Sequence, residues 1–150
     1  KAMLASGLAI QPRTAVLMSL ADQDKLDGLD MIRGLVRLGC EIYATEGTAA
    51  YIQREGMPVH MVTKRIGKGS PDVIDVILER TVQSVINTPG PSEKEVLDGF
   101  QIRRAAVEKG IPCITSIDTA NAVVDAIRSA NEAYTVQPLP LYRKRVSVRY

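Results

Sequence analysis

Thr45-Glu-Gly-Thr48 places two hydroxyls around a Glu-Gly pair, between an apolar run that opens at Cys40 and an amphipathic segment that closes at Gly56. A turn of this kind, at the carboxyl end of a strand and the amino end of a helix, suits an anion. The first backbone N–H groups of a helix lack partners within it, and the helix dipole favours negative charge there. Gly47 lets the backbone approach closely, and the Thr45 and Thr48 hydroxyls can donate to phosphate oxygens. A second reading makes Thr48 only the N-cap of its own helix. The tetrapeptide alone leaves both open.

Other polar residues stand at comparable places. Ser19, Asn87 and Thr88 end or follow apolar runs, Lys25 lies just beyond Ser19, and Lys64 opens the basic, Gly-rich segment 64–70. Lys68 in that segment, Thr115 after a later run, and the Arg103-Arg104 pair are marginal additions. Hydroxyl, amide and ammonium groups together suit a phosphorylated small molecule. Any one lysine reads more readily as a solvated charge, and only convergence favours a site. Neither G-x-G-x-x-G nor G-x-x-x-x-G-K-S/T occurs, which disfavours a dinucleotide fingerprint or a Walker-type NTPase.

Residues for bond-making are scarce. His60 is the single histidine and falls inside a strand-like run; Asp72, Asp75 and Asp118 form no carboxylate pair; Cys40 and Cys113 have no neighbouring base. No catalytic residue and no metal ligand is assigned, and binding without chemistry is the economical reading.

The elements that must position these residues alternate along the chain. Apolar runs at 14–20, 40–44, 58–62, 82–86 and 111–115 have strand length, and the first lacks clean alternation, as a strand buried on both faces should. Between them lie helical patterns. The first starts at Asp22 and carries Leu26, Leu29, Ile32, Leu35 and Leu38 up to Gly39; the second follows Thr48. The third starts at Ser70-Pro71 with Val73, Ile74, Ile77 and Leu78 as its stripe. Further helices are predicted at about 98–109, closed by Gly110, and at about 119–129 behind Asp118. The alternation predicts an α/β fold: a three-layer αβα sandwich around a parallel sheet with right-handed crossovers. Ligands of such folds bind at the carboxyl ends of the strands, which would gather Ser19, Thr45, Thr48, Lys64, Asn87, Thr88 and Thr115 on one rim. Residues 14–130 form the expected domain. Residues 1–13 read as a helix end and linker from a preceding domain, and 131–150 as a tail without assigned structure.

Composition narrows the partners. A net charge of +2 over 150 residues gives no electrostatic case for nucleic acid or membrane, and the absence of Trp and a single Phe leave no platform for stacking bases. No apolar run reaches the roughly 18 residues of a membrane span. Two lone cysteines without C-x-x-C spacing point to buried thiols in a reducing compartment, so a cytoplasmic location is expected.

The series Val16-Leu-Met-Ser-Leu-Ala-Asp-Gln-Asp-Lys25, Ala44-Thr-Glu-Gly-Thr-Ala49, Val85-Ile-Asn-Thr88, Asp98-Gly-Phe-Gln-Ile-Arg-Arg104 and Ile111-Pro-Cys-Ile-Thr115 resembles the carboxyl-terminal allosteric domain of the carbamoyl-phosphate synthetase large chain, over roughly residues 1–130. The resemblance implies a methylglyoxal-synthase-like fold with a five-stranded parallel sheet in the order 3-2-1-4-5. It implies no active site in this domain and a nucleotide monophosphate effector, UMP or IMP, whose phosphate lies among Lys25, Thr45, Thr48 and Lys64 with Ser19, Asn87 and Thr88 alongside. It further implies preceding ATP-grasp synthetase domains in the same chain, a small glutaminase subunit, and a ligase using ATP, Mg2+ or Mn2+, and K+ outside this domain. That ligase makes carbamoyl phosphate for pyrimidine and arginine biosynthesis; a homo-oligomer is also open to it. Two positions depart from the family pattern: Pro89 replaces a second hydroxyl residue, and Ile114 an acidic residue linked to ornithine binding. Another effector such as N-acetylglutamate is the alternative. A methylglyoxal-synthase-like lyase is the remote one, since Gly67-Lys-Gly-Ser70 offers no catalytic carboxylate. The cyclohydrolase domain of the bifunctional purine enzyme resembles the first 56 residues but continues with a lysine-rich segment that does not occur here.

Overall fold

The computed structural model describes residues 10–64 and 71–133. Five parallel strands form one sheet in the order β3-β2-β1-β4-β5, as the resemblance implies. Strand β1, Ala15–Ser19, is central and buried along its whole length. It pairs with β2, Glu41–Thr45, through Val16 opposite Ile42, and with β4, Ser84–Asn87, through Val16 opposite Ser84. β3, His60–Val62, and β5, Cys113–Ile114, are the edges.

Strand periodicity sends alternate residues to opposite faces and so builds two cores. Val16 and Met18 pack with α1 (Leu29–Arg37), α2 (Glu46–Arg54) and α5 (Ile117–Ala133). Leu17 packs on the other face with α3 (Val73–Leu78) and α4 (Glu93–Glu108). The first core also takes in Ile10, so the linker expected at 1–13 is anchored at that residue. The helix end read at residues 1–7 lies outside the described residues. In α1, Gly34 lets α5 approach closely: a Cβ there would stand 2.8 Å from Val124 Cγ1.

Several element boundaries differ from the sequence expectation, each for a local reason. The segment after β1 is a 3-10 turn, Asp22–Asp24, and α1 begins only at Leu29, with Gly28 before it. Lys25 therefore sits in a turn rather than inside the first helix, and Leu26, expected on the apolar stripe, is 74% exposed. Helix α3 is capped by Asp72 instead of Ser70: its carboxylate accepts from the N–H groups of Ile74 and Asp75, both at 2.8 Å, while Asp75 returns a bond to the Asp72 N–H. Its buried residues are Val73, Val76 and Ile77, and Leu78 faces outward. Ser70 lies outside the described residues. Helix α4 starts five residues before the expected Asp98, because Ser92 and Glu95 form a second capping box. The Ser92 hydroxyl and backbone N–H hold the Glu95 carboxyl below its ordinary range. Helix α5 begins at Ile117, with the Ser116 hydroxyl accepting from the Thr119 N–H at 3.4 Å, so Asp118 is in the first turn and not the cap. It extends past 129 to Ala133, into the segment left unassigned; residues 134–150 are outside the described residues.

Candidate anion-binding site

The carboxyl ends of β1, β2 and β4 are tied together by the side chains that the strand-end rule gathers. The Thr45 hydroxyl donates to Ser19 Oγ at 3.3 Å. Thr48 Oγ1 accepts the Leu20 N–H at 3.0 Å, and Thr88 Oγ1 accepts the Ala21 N–H at 2.9 Å. Asn87 Nδ2 and the Thr88 N–H both donate to the Ser19 carbonyl, at 3.3 and 3.1 Å. Asn87 Oδ1 in turn accepts from Arg103 Nη1 at 2.9 Å. Ser19, Thr45, Thr48, Asn87 and Thr88 are all buried.

These bonds rule out the N-cap reading of Thr48. The residue at the N-cap of α2 is Thr45, and Thr48 lies three residues further on with its hydroxyl committed to Leu20. Thr48 is therefore no cap, and Thr45 makes no side-chain cap bond either. The first turn of α2 thus carries donors that no side chain of its own cap satisfies. Over that turn stands Lys25, whose Nζ would lie 3.4 Å from a Cβ on Gly47. The Lys25 side chain is 13% exposed and bonds to the exposed carboxylate of Asp22, which its hydrogen bond and charge hold below the ordinary range. A cation at a helix N-terminus lies at the positive end of the dipole, an unfavourable place that an intervening anion would make favourable.

Lys64 approaches from the other side of the rim. Its backbone N–H donates to Glu46 Oε2 at 3.2 Å, the Thr63 hydroxyl donates to Glu46 Oε1 at 2.9 Å, and its Nζ lies 3.7 Å from Asp98 Oδ2. Ser19, Lys64, Asn87, Thr88, Gly90 and Glu95 bound a small recess beside it. Gly90 leaves the Glu95 carboxylate its place there, since a Cβ would come within 2.5 Å of the Glu95 carboxyl carbon and push that side chain aside.

Residues 27–115 match the family model described as the MGS-like domain. The chain belongs to the MGS-like domain family. It is 55% identical over 148 residues to the carbamoyl phosphate synthase large chain of Thermomicrobium roseum, a match covering 99% of this chain and 14% of that one. It is 39% identical over 132 residues to the C-terminal section of the carbamoyl phosphate synthase large chain of Methanopyrus kandleri, covering 88% of this chain and 24% of that protein. The chain thus spans well under a third of either relative. Both relatives uphold the resemblance to the C-terminal MGS-like domain of the large chain.

In this MGS-like domain the expected rim residues do not all converge. Ser19, Lys25, Thr45, Gly47, Thr48, Lys64, Asn87 and Thr88 meet around the ends of β1, β2 and β4, and Arg103 joins them through Asn87. Arg104 is exposed and pairs with Glu108 at 2.9 Å, because consecutive helical residues point about 100° apart. Thr115 follows the edge strand β5 and is exposed, and Lys68 lies outside the described residues. His60 is exposed on the opposite edge strand, stacked on Tyr43 with ring centroids 4.7 Å apart. Burial raises the Cys113 thiol above its ordinary range, which leaves it a poor nucleophile. Among the described residues no group of three or more His, Cys, Asp or Glu is placed to hold a metal ion. A hollow of about 500 Å³ between α1 and α5 is lined by Arg33, Arg128 and their acidic partners Asp30 and Asp125, and by none of the expected rim residues.

The sequence reading missed Glu46 and Asp98, the carboxylates that hold the Lys64 backbone and side chain. Glu46 lies inside the Thr45–Thr48 quartet, which was the available signal; Asp98 had none beyond opening the Asp98–Arg104 motif. Replacing Thr48 with valine keeps the shape but leaves the buried Leu20 N–H unpartnered, an expected cost of about 1–3 kcal/mol. Urea unfolding measures it, and a loss below about 0.5 kcal/mol, the scale of an ordinary surface change, would show that the hydroxyl does not hold this strand end.

Proposed function

We propose that this MGS-like domain binds a nucleotide monophosphate such as UMP or IMP, with the phosphate at the N-terminus of α2 between Lys25 and Lys64. Ser19, Thr45, Thr48, Asn87 and Thr88 line the rest of the site. The observation that carries this reading is the Lys25 ammonium held over Gly47, above a helix start that lacks a side-chain cap. Two cations and a helix N-terminus converging from separate elements ask for an anion, and the neighbouring hydroxyls and amide suit its oxygens.

The function that follows is regulatory: the nucleotide tunes a carbamoyl phosphate synthase, in a chain whose other domains perform the synthesis for pyrimidine and arginine formation. ATP and the metal ions of that chemistry belong to those domains, and glutamine hydrolysis to a small subunit. A regulatory ligand of this kind shifts the balance between two states by about 1–3 kcal/mol, and only by binding them unequally. No helix among the described residues is long and apolar enough to cross a membrane, and the reading places the protein in the cytoplasm.

Calorimetric titration with UMP, IMP and N-acetylglutamate tests it. Saturable binding of UMP or IMP that weakens in Thr45→Ala and Lys64→Ala supports the assignment. Binding of N-acetylglutamate alone changes the effector class, and silence from all three at millimolar concentration, or binding indifferent to both substitutions, removes the site. Turnover of dihydroxyacetone phosphate would instead favour a lyase.

A further inference from the structure

We propose that Asp98 is a built-in competitor for the ligand: its carboxylate occupies Lys64, and an arriving anion must draw that lysine away from α4. The inference rests on the anion-site reading and adds to it how occupancy is registered by the fold. The Lys64–Asp98 contact is long, at 3.7 Å, and half-buried, with side chains 29% and 27% exposed. Such a pair is weak and easily exchanged. A phosphate lodged at the start of α2 offers the same ammonium more charge and better geometry than one carboxylate at that distance. The backbone of Lys64 is anchored to Glu46 on α2, so exchange moves the ammonium and not the loop start.

The same turn of α4 holds a second tie to the rim. Gly99, next to Asp98, makes room for Arg103 to reach Asn87: a Cβ at position 99 would stand 2.8 Å from Arg103 Nη1 and 3.0 Å from Asn87 Oδ1. Anion binding therefore releases the Lys64–Asp98 contact between α4 and the rim, while Asn87–Arg103 stays closed. The released turn is the one that presents Val96, Leu97 and Phe100 to the outside, so the change of occupancy reaches an exposed apolar surface through a single helix.

Calorimetry with UMP and with inorganic phosphate at low salt, on the whole chain, tests the competition. Asp98→Asn is expected to bind both probes about two- to five-fold more tightly than the parent, the range set by a half-exposed ion pair. Asp98→Glu keeps a carboxylate and should stay within about two-fold of the parent by the same reasoning. As an independent readout, the side-chain carboxylate carbon of Asp98 should shift in its NMR spectrum when the parent is saturated with UMP. In Lys64→Met it should already resonate near the saturated position. Equal or weaker binding by Asp98→Asn, an equal gain in Asp98→Glu, or an unmoved Asp98 resonance overturns the inference while the site reading stands. Failure of the parent to bind either probe overturns both. A gain for inorganic phosphate alone keeps the competitor and removes the nucleotide.

Discussion

Lys25→Met is expected to weaken UMP binding by at least about ten-fold while leaving the thermal midpoint close to that of the parent. A charge-assisted hydrogen bond of the ammonium to a phosphate contributes roughly 1.5–3 kcal/mol, which corresponds to about ten- to one-hundred-fold in affinity. Stability should respond differently. In the described state the ammonium faces the positive end of α2, over Gly47, at a cost of about 0.3–1 kcal/mol. Its carboxylate partner, Asp22, is exposed, so little is lost when the pair goes. Methionine keeps the buried stem and removes only the charge. The substitution therefore separates binding from stability, which Thr48→Val cannot do because its hydroxyl also holds Leu20. Parallel calorimetry and thermal melting check both halves. Undiminished affinity would show that Lys25 does not face the ligand, and a large fall in midpoint would show that its charge is structural.

Leu17→Ala is expected to cost about 2–5 kcal/mol, the range for emptying a fully buried aliphatic site. Leu17 is inaccessible to solvent in the central strand, opposite Tyr43 on one side and Val85 on the other, and belongs to the core beneath α3 and α4. Collapse around the cavity is restricted because β1 is held by neighbours along both edges. Against a total stability of roughly 5–15 kcal/mol for a domain, this is enough to leave a minority of molecules folded under mild stress. Leu26→Ala, at a position of the same residue type but 74% exposed, should stay within about 0.5 kcal/mol of the parent. Urea unfolding with an unchanged slope measures both. Similar costs for the two would mean that the burial of β1 does not govern stability.

The layered parallel architecture was legible because continuous apolar runs separated by helical patterns admit few alternatives; the strand order came from the family resemblance. Helix starts were less legible. The Pro- and Gly-rich segment after Asn87 masked the Ser92-x-x-Glu95 signature that begins α4, and Pro71 drew attention from the Asp72–Asp75 box that begins α3. Leu26 fitted a helical stripe by spacing alone, but a 3-10 turn before Gly28 breaks the phase. Within the candidate site, the rule that polar residues gather at strand ends found the hydroxyl and amide members. It could not assign their partners, since the acceptor of the Leu20 N–H is 28 residues away and the Asn87–Arg103 bond depends on a missing side chain at Gly99. Asp98 escaped for the same reason: a carboxylate on a helix acquires its meaning only when the neighbouring loop delivers a lysine to it.

The junction of β1 with β4 joins residues far apart in the chain, Asn87 reaching Ser19 across 68 positions. Contacts of such separation are slow to form, because the intervening chain must surrender its freedom before they reward it. The unit β1-α1-β2-α2-β3 can pair internally over shorter spans, but its rim stays open along the free edge of β1 until β4 arrives. The anion site is then completed by the same event that closes the sheet. A ligand consequently has nothing whole to grasp in the early stages of folding. It should act chiefly by delaying unfolding of the finished domain, so that occupancy lengthens the lifetime of the native state without hastening its formation.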